Sequence, residues 1–297
     1  MKRPDFFIVG APKSGTTALN HYLSLHPDIF VPKRNELHYF GSDLAMTGPR
    51  LTLAEYESYF EPASPAQKVG EASVWYLFSE RAAAEIHEYN PNAKIIIILR
   101  NPADMLHSQH SQFLYNGNED IASFEDALDA EPDRKRGRRA PRTVMLISGL
   151  YYLETARYYD QVLRYIATFG RNNVLILLYD DLEVDSDAVF RKVITFLDLP
   201  YFAIGNYERV NRNRNIRFLF LHRGRLIARK YAPLIVRFLP SRLYRSLLDY
   251  YDKVNISHEE RKPLSAATRR RIVEALRPDI ENLSRLIERN LDPWLKV

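Results

Sequence analysis

The chain has 297 residues, 46% of them apolar, enough to bury a sizeable core in an α/β domain. It contains no cysteine, so neither a disulfide nor a thiolate metal site can form. The net charge of +5 is uneven: residues 209–248 hold 11 Lys and Arg and no Asp or Glu, which leaves the rest of the chain net acidic. One segment, not the whole surface, is thus suited to meet negative charge, and a second basic cluster runs from Arg134 to Arg142.

Phe6–Gly10 predicts a buried strand. It begins so near the first residue that no room is expected for a signal peptide or anchor ahead of the fold. No later apolar run approaches the ~20 residues of a spanning helix, so the expectation is a soluble, cytoplasmic protein. Ala18–Leu25 predicts the body of the helix that follows, stopped by His26-Pro27. Ser79–Tyr89 reads as another helix. Lys94–Leu99, nearly all isoleucine, predicts a strand covered on both faces, as in a parallel sheet. Pro102–Gln112 predicts a helix, Leu150–Phe169 a longer one, and Val174–Tyr179 a further strand. Ser265–Arg289 spaces Ile272, Leu276, Ile280, Leu283 and Ile287 as a helix interrupted by Pro278. The alternation predicts an α/β fold of three layers, an open, mostly parallel sheet flanked by helices. One domain is expected over 1–297, with a helical, basic C-terminal portion from 209 packed on it.

Gly10-Ala-Pro12-Lys13-Ser14-Gly15-Thr16-Thr17 lies between the first strand and the first helix. Loop N–H groups and a helix N-terminus converge there on an anion, and glycine lets the backbone approach it. The plainer reading is a strand–helix turn that happens to contain glycine. The nucleoside triphosphate pattern GxxxxGK[ST] fits only in part, because Thr16 stands where its Lys belongs and Lys13 lies three residues earlier. The second strand ends in Arg100, where an NTPase often offers an Asp to the Mg²⁺ shell. Both departures point to a phosphate donor bound without metal, and away from an ATP–Mg²⁺ enzyme such as a small-molecule kinase.

Val9–Thr17 resembles the 5′-phosphosulfate loop of the sulfotransferases that use 3′-phosphoadenosine-5′-phosphosulfate (PAPS). Leu99-Arg100-Asn101-Pro102 with Ser108 is similar to their 3′-phosphate-binding strand and helix. The resemblance continues through Gly70-Glu71-Ala72-Ser73, Gly149-Leu150-Tyr151 and Phe196-Leu197-Asp198-Leu199 to Asp292-Pro293-Trp294-Leu295. It implies that Pro12, Lys13, Ser14, Gly15, Thr16 and Thr17 hold the 5′ side, and that Arg100 and Ser108 hold the 3′-phosphate. PAPS would be the cosubstrate, and 3′,5′-ADP (PAP) the product, with no metal.

Sulfuryl transfer needs a base for the acceptor proton and a cation for the leaving phosphate. Lys13 suits the cation. In Lys33-Arg-Asn-Glu36-Leu-His38-Tyr-Phe40, the positions of Glu36, His38 and Phe40 look like the motif of the glycan-modifying, heparan-sulfate-type and bacterial branch, which implies Glu36 as base. Asn35 and Ala72 depart from that pattern, each standing where Lys occurs in some members. A surface carboxylate paired with Lys33 or Arg34 is the structural alternative for Glu36. His38 is expected to be a core histidine and is the second candidate base. His107 and His110, flanking Ser108, are expected to line or support the crevice. The resemblance favours a carbohydrate or glycolipid acceptor.

For the basic segment 209–248, three readings stand side by side. It is a solvated face, a contact with an anionic membrane or lipid acceptor, or a polymer site or nucleotide lid to which Arg214 or Arg217 contributes. Beyond charge, the sequence carries no nucleic-acid recognition motif. A non-catalytic polyanion-binding module is a further alternative, which the combination of Lys13, Glu36, Arg100 and Ser108 disfavours.

Overall fold

The computed structural model describes residues 2–205, 207, 215–216, 221–222, 224–225, 246, 250–251, 254–257 and 263–297. In chain order the elements are β1 (Phe6–Gly10), α1 (Thr16–Ser24), β2 (Ile29–Phe30), α2 (Leu53–Ser58), β3 (Lys68–Ala72), α3 (Ala82–Tyr89), β4 (Lys94–Leu99) and α4 (Pro102–Asn116). After them come α5 (Phe124–Asp129), α6 (Glu131–Lys135), α7 (Tyr152–Thr155), α8 (Tyr158–Phe169), β5 (Val174–Leu178), α9 (Tyr179–Val184) and α10 (Ser186–Phe196). A short antiparallel pair, β6 (Asn215–Ile216) with β7 (Ile256–Ser257), precedes the long α11 (Ala266–Ile287).

Five parallel strands pair in the order β2-β3-β1-β4-β5. The chain leaves β1 to one side for β2 and β3, then returns to the other side for β4 and β5. Such a reversal opens a crevice at the carboxyl ends of the central strands. The loop 11–15 follows β1 and Arg100 follows β4, so both lie at that edge.

The isoleucine run is explained by burial on two faces. Phe7, Val9, Ile95, Ile97 and Leu99 join one core with α3, α4, α8 and α11, while Phe6, Ile8, Ile96 and Ile98 join a second core with α1 and α10. Each fully buried Ile or Phe contributes ~1.5–3 kcal/mol, so neither face of β4 can be polar without a large loss. The expected three-layer α/β sheet is thus the one observed.

Two local expectations are corrected, one strand is added and one helix start is fixed. The helix whose body is Ala18–Leu25 begins at Thr16, because Gly15 takes a left-handed φ of 88° and turns the chain directly into it. Strand β3 went unrecognised because Lys68-Val-Gly-Glu-Ala72 carries a glycine and a carboxylate where a strand signal needs apolar residues. The run 150–169 is broken into a 3₁₀ turn, α7 and α8, with Asp279 accepting from the N–H groups of Tyr158 (2.9 Å) and Tyr159 (3.2 Å) at the start of α8. Pro278 does not interrupt α11. It is exposed, so the carbonyl it frees meets water, while Ile272, Val273, Leu276, Ile280, Leu283 and Ile287 hold the opposite face in the core.

The basic cluster 134–142 is largely matched from within. Arg134 is fully buried and donates to Glu119 Oε1 at 2.7 Å, and Tyr152 donates to the same carboxylate at 2.9 Å. Lys135 pairs with Glu131 and Glu154, and Arg136 and Arg138 with Asp133. Most of the basic segment 209–248, with Arg214 and Arg217, lies outside the described residues. No described helix is long and apolar enough to cross a membrane.

Candidate functional site

The loop after β1 is shaped by two glycines. A Cβ on Gly10 would sit 2.8 Å from the Val74 carbonyl oxygen and 2.7 Å from Leu77 Cβ. One on Gly15 would sit 2.8 Å from Leu182 Cδ2, at a φ that side-chain-bearing residues rarely adopt. The Ser14 hydroxyl, fully buried, donates back to the Pro12 carbonyl at 3.2 Å. Thr16 and Thr17 open α1, whose N-terminus carries no side-chain cap and no acidic residue in its first turn. Its first N–H groups and the positive end of its dipole are therefore directed at whatever anion occupies the loop.

Lys13, at a φ of 57°, donates from Nζ to Gln112 Oε1 at 3.2 Å, which joins the loop to the middle of α4. Arg100 donates from Nη1 to the Lys13 carbonyl at 3.1 Å and lies over the Tyr179 ring, 4.2 Å from its centroid. Ser108 is 4% exposed on α4, eight residues past Arg100. The N-terminus of α4 is already capped by Asn101, so that helix end is not an open anion site. Nearby histidines belong to the packing: His110 Nε2 is bound to the Ile121 carbonyl at 2.9 Å, and His107 and His110 pack against Phe124.

Glu36 stands on a separate loop at the same sheet edge. Its N–H donates to the Ala72 carbonyl at 2.9 Å, and its carboxylate accepts from Val74 N–H at 3.1 Å. The 73–77 segment is itself laid across the end of β1, by Ser73 N–H to the Ile8 carbonyl and Leu77 N–H to the Val9 carbonyl. Asn35, beside it, accepts from Asn20 of α1 at 2.8 Å. Glu36 and His38 both take left-handed φ values, 60° and 51°. Such strain costs about 1–3 kcal/mol per residue and persists only where surroundings enforce it. Tyr76 supplies part of that enforcement, accepting from the N–H groups of Tyr39 and Phe40, and Arg50 binds the carbonyls of Gly41 and Leu44.

The electrostatics separate the two candidate bases. Burial pushes the Glu36 carboxyl up to about 8, against the pull of the Val74 N–H and with a smaller push from Glu71. The side chain still keeps 38% of its surface open to solvent, which acts in the opposite direction. Burial, then the charges of Arg34 and Arg50, push His38 down to about 4. A neutral imidazole therefore faces Glu36, with Nε2 3.2 Å from Oε2 and Nδ1 buried without a partner. In that pairing His38 can donate to the carboxylate or accept from the protonated carboxyl, so it accommodates Glu36 on both sides of a proton transfer.

Two groups were not singled out by sequence reasoning. Glu71, 1% exposed, accepts from Ser73 Oγ at 2.5 Å and Tyr56 Oη at 3.2 Å, and burial pushes it up to about 7. Ser73 Oγ in turn accepts from the His38 N–H at 3.1 Å, so a second carboxylate buttresses the loop that carries Glu36. Its only sequence signal was its place in Gly70–Ser73. The other is Tyr158, fully buried, whose hydroxyl is pushed up by burial and sits in reach of the Arg100 charge and the Ser14 hydroxyl. No group of three or more His, Asp or Glu among the described residues is arranged as a metal site. The cavity on α11 lined by Ile280, Ser284, Leu291 and Asp292 includes none of these residues.

The geometry agrees with what known proteins show. A crystallographic sulfotransferase from Alicyclobacillus acidocaldarius superposes with a TM-score of 0.74 at 27% identity, over 99% of both chains. The bifunctional heparan sulfate N-deacetylase/N-sulfotransferase 1 of Caenorhabditis elegans is 27% identical over 216 residues, 71% of this chain and 24% of that protein. The membrane-associated sulfotransferase kil1 of Dictyostelium discoideum is 33% identical over 110 residues, 36% of this chain and 22% of that protein. The chain thus spans about a quarter of the length of these two relatives. The Sulfotransferase domain profile matches residues 3–216, which takes in the phosphate loop, the Glu36 loop, Arg100 and Ser108. On that match, and on a parallel sheet whose carboxyl edge bears the loop, the chain belongs to the sulfotransferase family of enzymes.

Proposed function

We propose that the chain transfers the sulfuryl group of PAPS to a hydroxyl or amine of a carbohydrate or glycolipid acceptor. The observation that carries this reading is the uncapped N-terminus of α1 behind Lys13, with Arg100 at the neighbouring strand end. Together they offer cationic and N–H donors to two phosphate groups at one sheet edge. PAPS supplies the activated sulfuryl group and a phosphate leaving group. The loop residues Pro12 to Thr17 bind the 5′ side, and Arg100 and Ser108 bind the 3′-phosphate. Glu36 takes the proton from the acceptor as its oxygen or nitrogen forms the new bond to sulfur. The sulfur–oxygen bond to the 5′-phosphate breaks, and Lys13 stabilises the charge left on that phosphate, an interaction stronger in the transition state than before it. His38, neutral and fixed on Glu36, orients the carboxyl. A carbohydrate acceptor is supported by the heparan sulfate named in the C. elegans relative. The chain is placed in the cytoplasm, with segment 209–248 as its contact to anionic membrane or polymer.

3′,5′-ADP is expected to raise the melting temperature with EDTA present, by ~2.7 kcal/mol of stabilisation at 100 times Kd. Differential scanning fluorimetry against ATP–Mg²⁺ checks it. Stabilisation lost with EDTA, or a preference for ATP–Mg²⁺, sinks the reading.

The pH profile gives a second check. Glu36 acts as a base only when ionised, so kcat/KM should rise with pH. The apparent pKa should lie above the ordinary 4.5 and no higher than about 8. Below the limb the rate falls tenfold per pH unit as the carboxyl takes up its proton. Glu71, itself raised to about 7, titrates beside it, so the limb belongs to the pair. A limb at an ordinary 4.5 would contradict the environment described for Glu36.

A further inference from the structure

Glu71 stands on β3 beside the central strand, in register with Phe7, at 1% exposure. A carboxylate in such a place is costly unless other groups satisfy it, and an apolar side chain would suit the core better. What meets it are hydroxyls. Ser73 Oγ donates to Oε1 at 2.5 Å and Tyr56 Oη to Oε2 at 3.2 Å, both from fully buried residues. The ionisable groups that its charge reaches are Tyr56 on α2, Tyr76, Tyr165 on α8 and Glu36, none of them a cation. Each donor also holds the loop that carries Glu36. Ser73 Oγ, its proton directed to Glu71, accepts from the His38 N–H at 3.1 Å. Tyr56 stacks on Tyr39, with 4.4 Å between ring centroids and 15° between planes. His38 needs such a hold because its φ is 51°, and its Nε2 lies 3.2 Å from Glu36 Oε2 only while that backbone keeps its course. A carboxylate is the group that serves both donors, one on each oxygen. A glutamine offers one acceptor oxygen, so one of the two donors would face an amide N–H instead.

We propose that Glu71 is a positioning residue for the base: its carboxylate orients the Ser73 hydroxyl, Ser73 holds the His38 backbone, and the His38 ring is thereby kept on the Glu36 carboxyl. Glu71 itself transfers no proton and, being buried, acts through Ser73 and not on substrate. Each hydrogen bond of this chain polarises the next where water is excluded. This inference rests on Glu36 being the base proposed above.

The experiment is an NMR pH titration of the histidine rings and glutamate carboxyls, with the two signals assigned by His38→Asn and Glu36→Gln. It needs no acceptor. Burial is the first cause of both shifts, so a loop that loses its seat lets His38 rise toward 6.5 and Glu36 fall toward 4.5. His38 is the cleaner reporter, since it answers to burial and to Arg34 and Arg50. Ser73→Ala and Glu71→Gln should each raise its midpoint by ~1 pH unit. The double variant should raise it no further than Ser73→Ala, because both residues act through one N–H. 3′,5′-ADP titration and melting curves report that each variant is folded. A Glu71 that served the core alone would lower the melting temperature of Glu71→Gln and leave His38 titrating as in the wild type, which overturns the inference. If Glu71→Gln does not fold, Ser73→Ala, which removes one hydroxyl, decides, and an unmoved His38 again overturns it. Failure of the Glu36 assignment would show separately, as full turnover by Glu36→Gln.

Discussion

Replacing Glu36 by glutamine should lower kcat by ~10²–10⁴, the usual worth of a general base, and leave 3′,5′-ADP binding close to wild type. The change is nearly isosteric. The amide can still accept from the Val74 N–H, and the Glu36 N–H keeps its bond to the Ala72 carbonyl, so the strained loop should keep its course. What is lost is the ability to take a proton. Turnover with labelled PAPS, measured beside 3′,5′-ADP titration, separates the two effects. The rising pH limb should vanish in the same variant. If Glu36→Gln is fully active, the role passes to His38, and His38→Asn would then have to be folded and inactive. The environment argues against that outcome, because an imidazole pushed down to about 4 is a weak base at neutral pH.

Arg100→Ala should weaken 3′,5′-ADP by ~10²-fold or more, since a charge-assisted pair with phosphate is worth a few kcal/mol. The loss should fall mainly on the ligand that carries a 3′-phosphate. Arg100 also donates to the Lys13 carbonyl, so 5′-AMP should suffer a smaller loss, of the order of one neutral hydrogen bond, about 1 kcal/mol. Ser108→Ala, which leaves the loop contact intact, should show the same selectivity with a smaller total. Isothermal titration of both nucleotides against the three proteins tests this. Equal losses for both ligands in Arg100→Ala would mean that Arg100 acts only by holding the Lys13 carbonyl.

The strands that were readable are those whose residues answer to burial on both faces. Ile95 to Leu99 and Phe6 to Val9 have no polar position to disguise them. The turn between β1 and α1 was legible for a related reason. Its glycines answer to local backbone geometry, carried by contiguous residues. Arg100 stood out because it ends an apolar strand at the carboxyl edge of the sheet.

The remaining features depend on residues far apart in the chain, and there local patterns misled. The cluster from Arg134 to Arg142 reads in sequence only as a run of basic residues, and Glu119, Asp133 and Glu154 meet much of it after folding. Leu150 to Phe169 looked like one helix, but Asp279 binds the N–H groups that open α8, 121 residues before it in the case of Tyr158. Pro278 looked like a break, but the buried stripe of α11 outweighs one missing hydrogen bond. Glu71 entered only within Gly70–Ser73, and became a buried carboxylate beside Glu36 because Tyr56 and Ser73 close on it. Residue type and spacing therefore settle the sheet and the turn between β1 and α1, since those follow from local periodicity and backbone freedom. Which carboxylate is raised and which histidine is pushed down follow from desolvation and long-range contacts, which arise only when distant segments are brought together at the sheet edge.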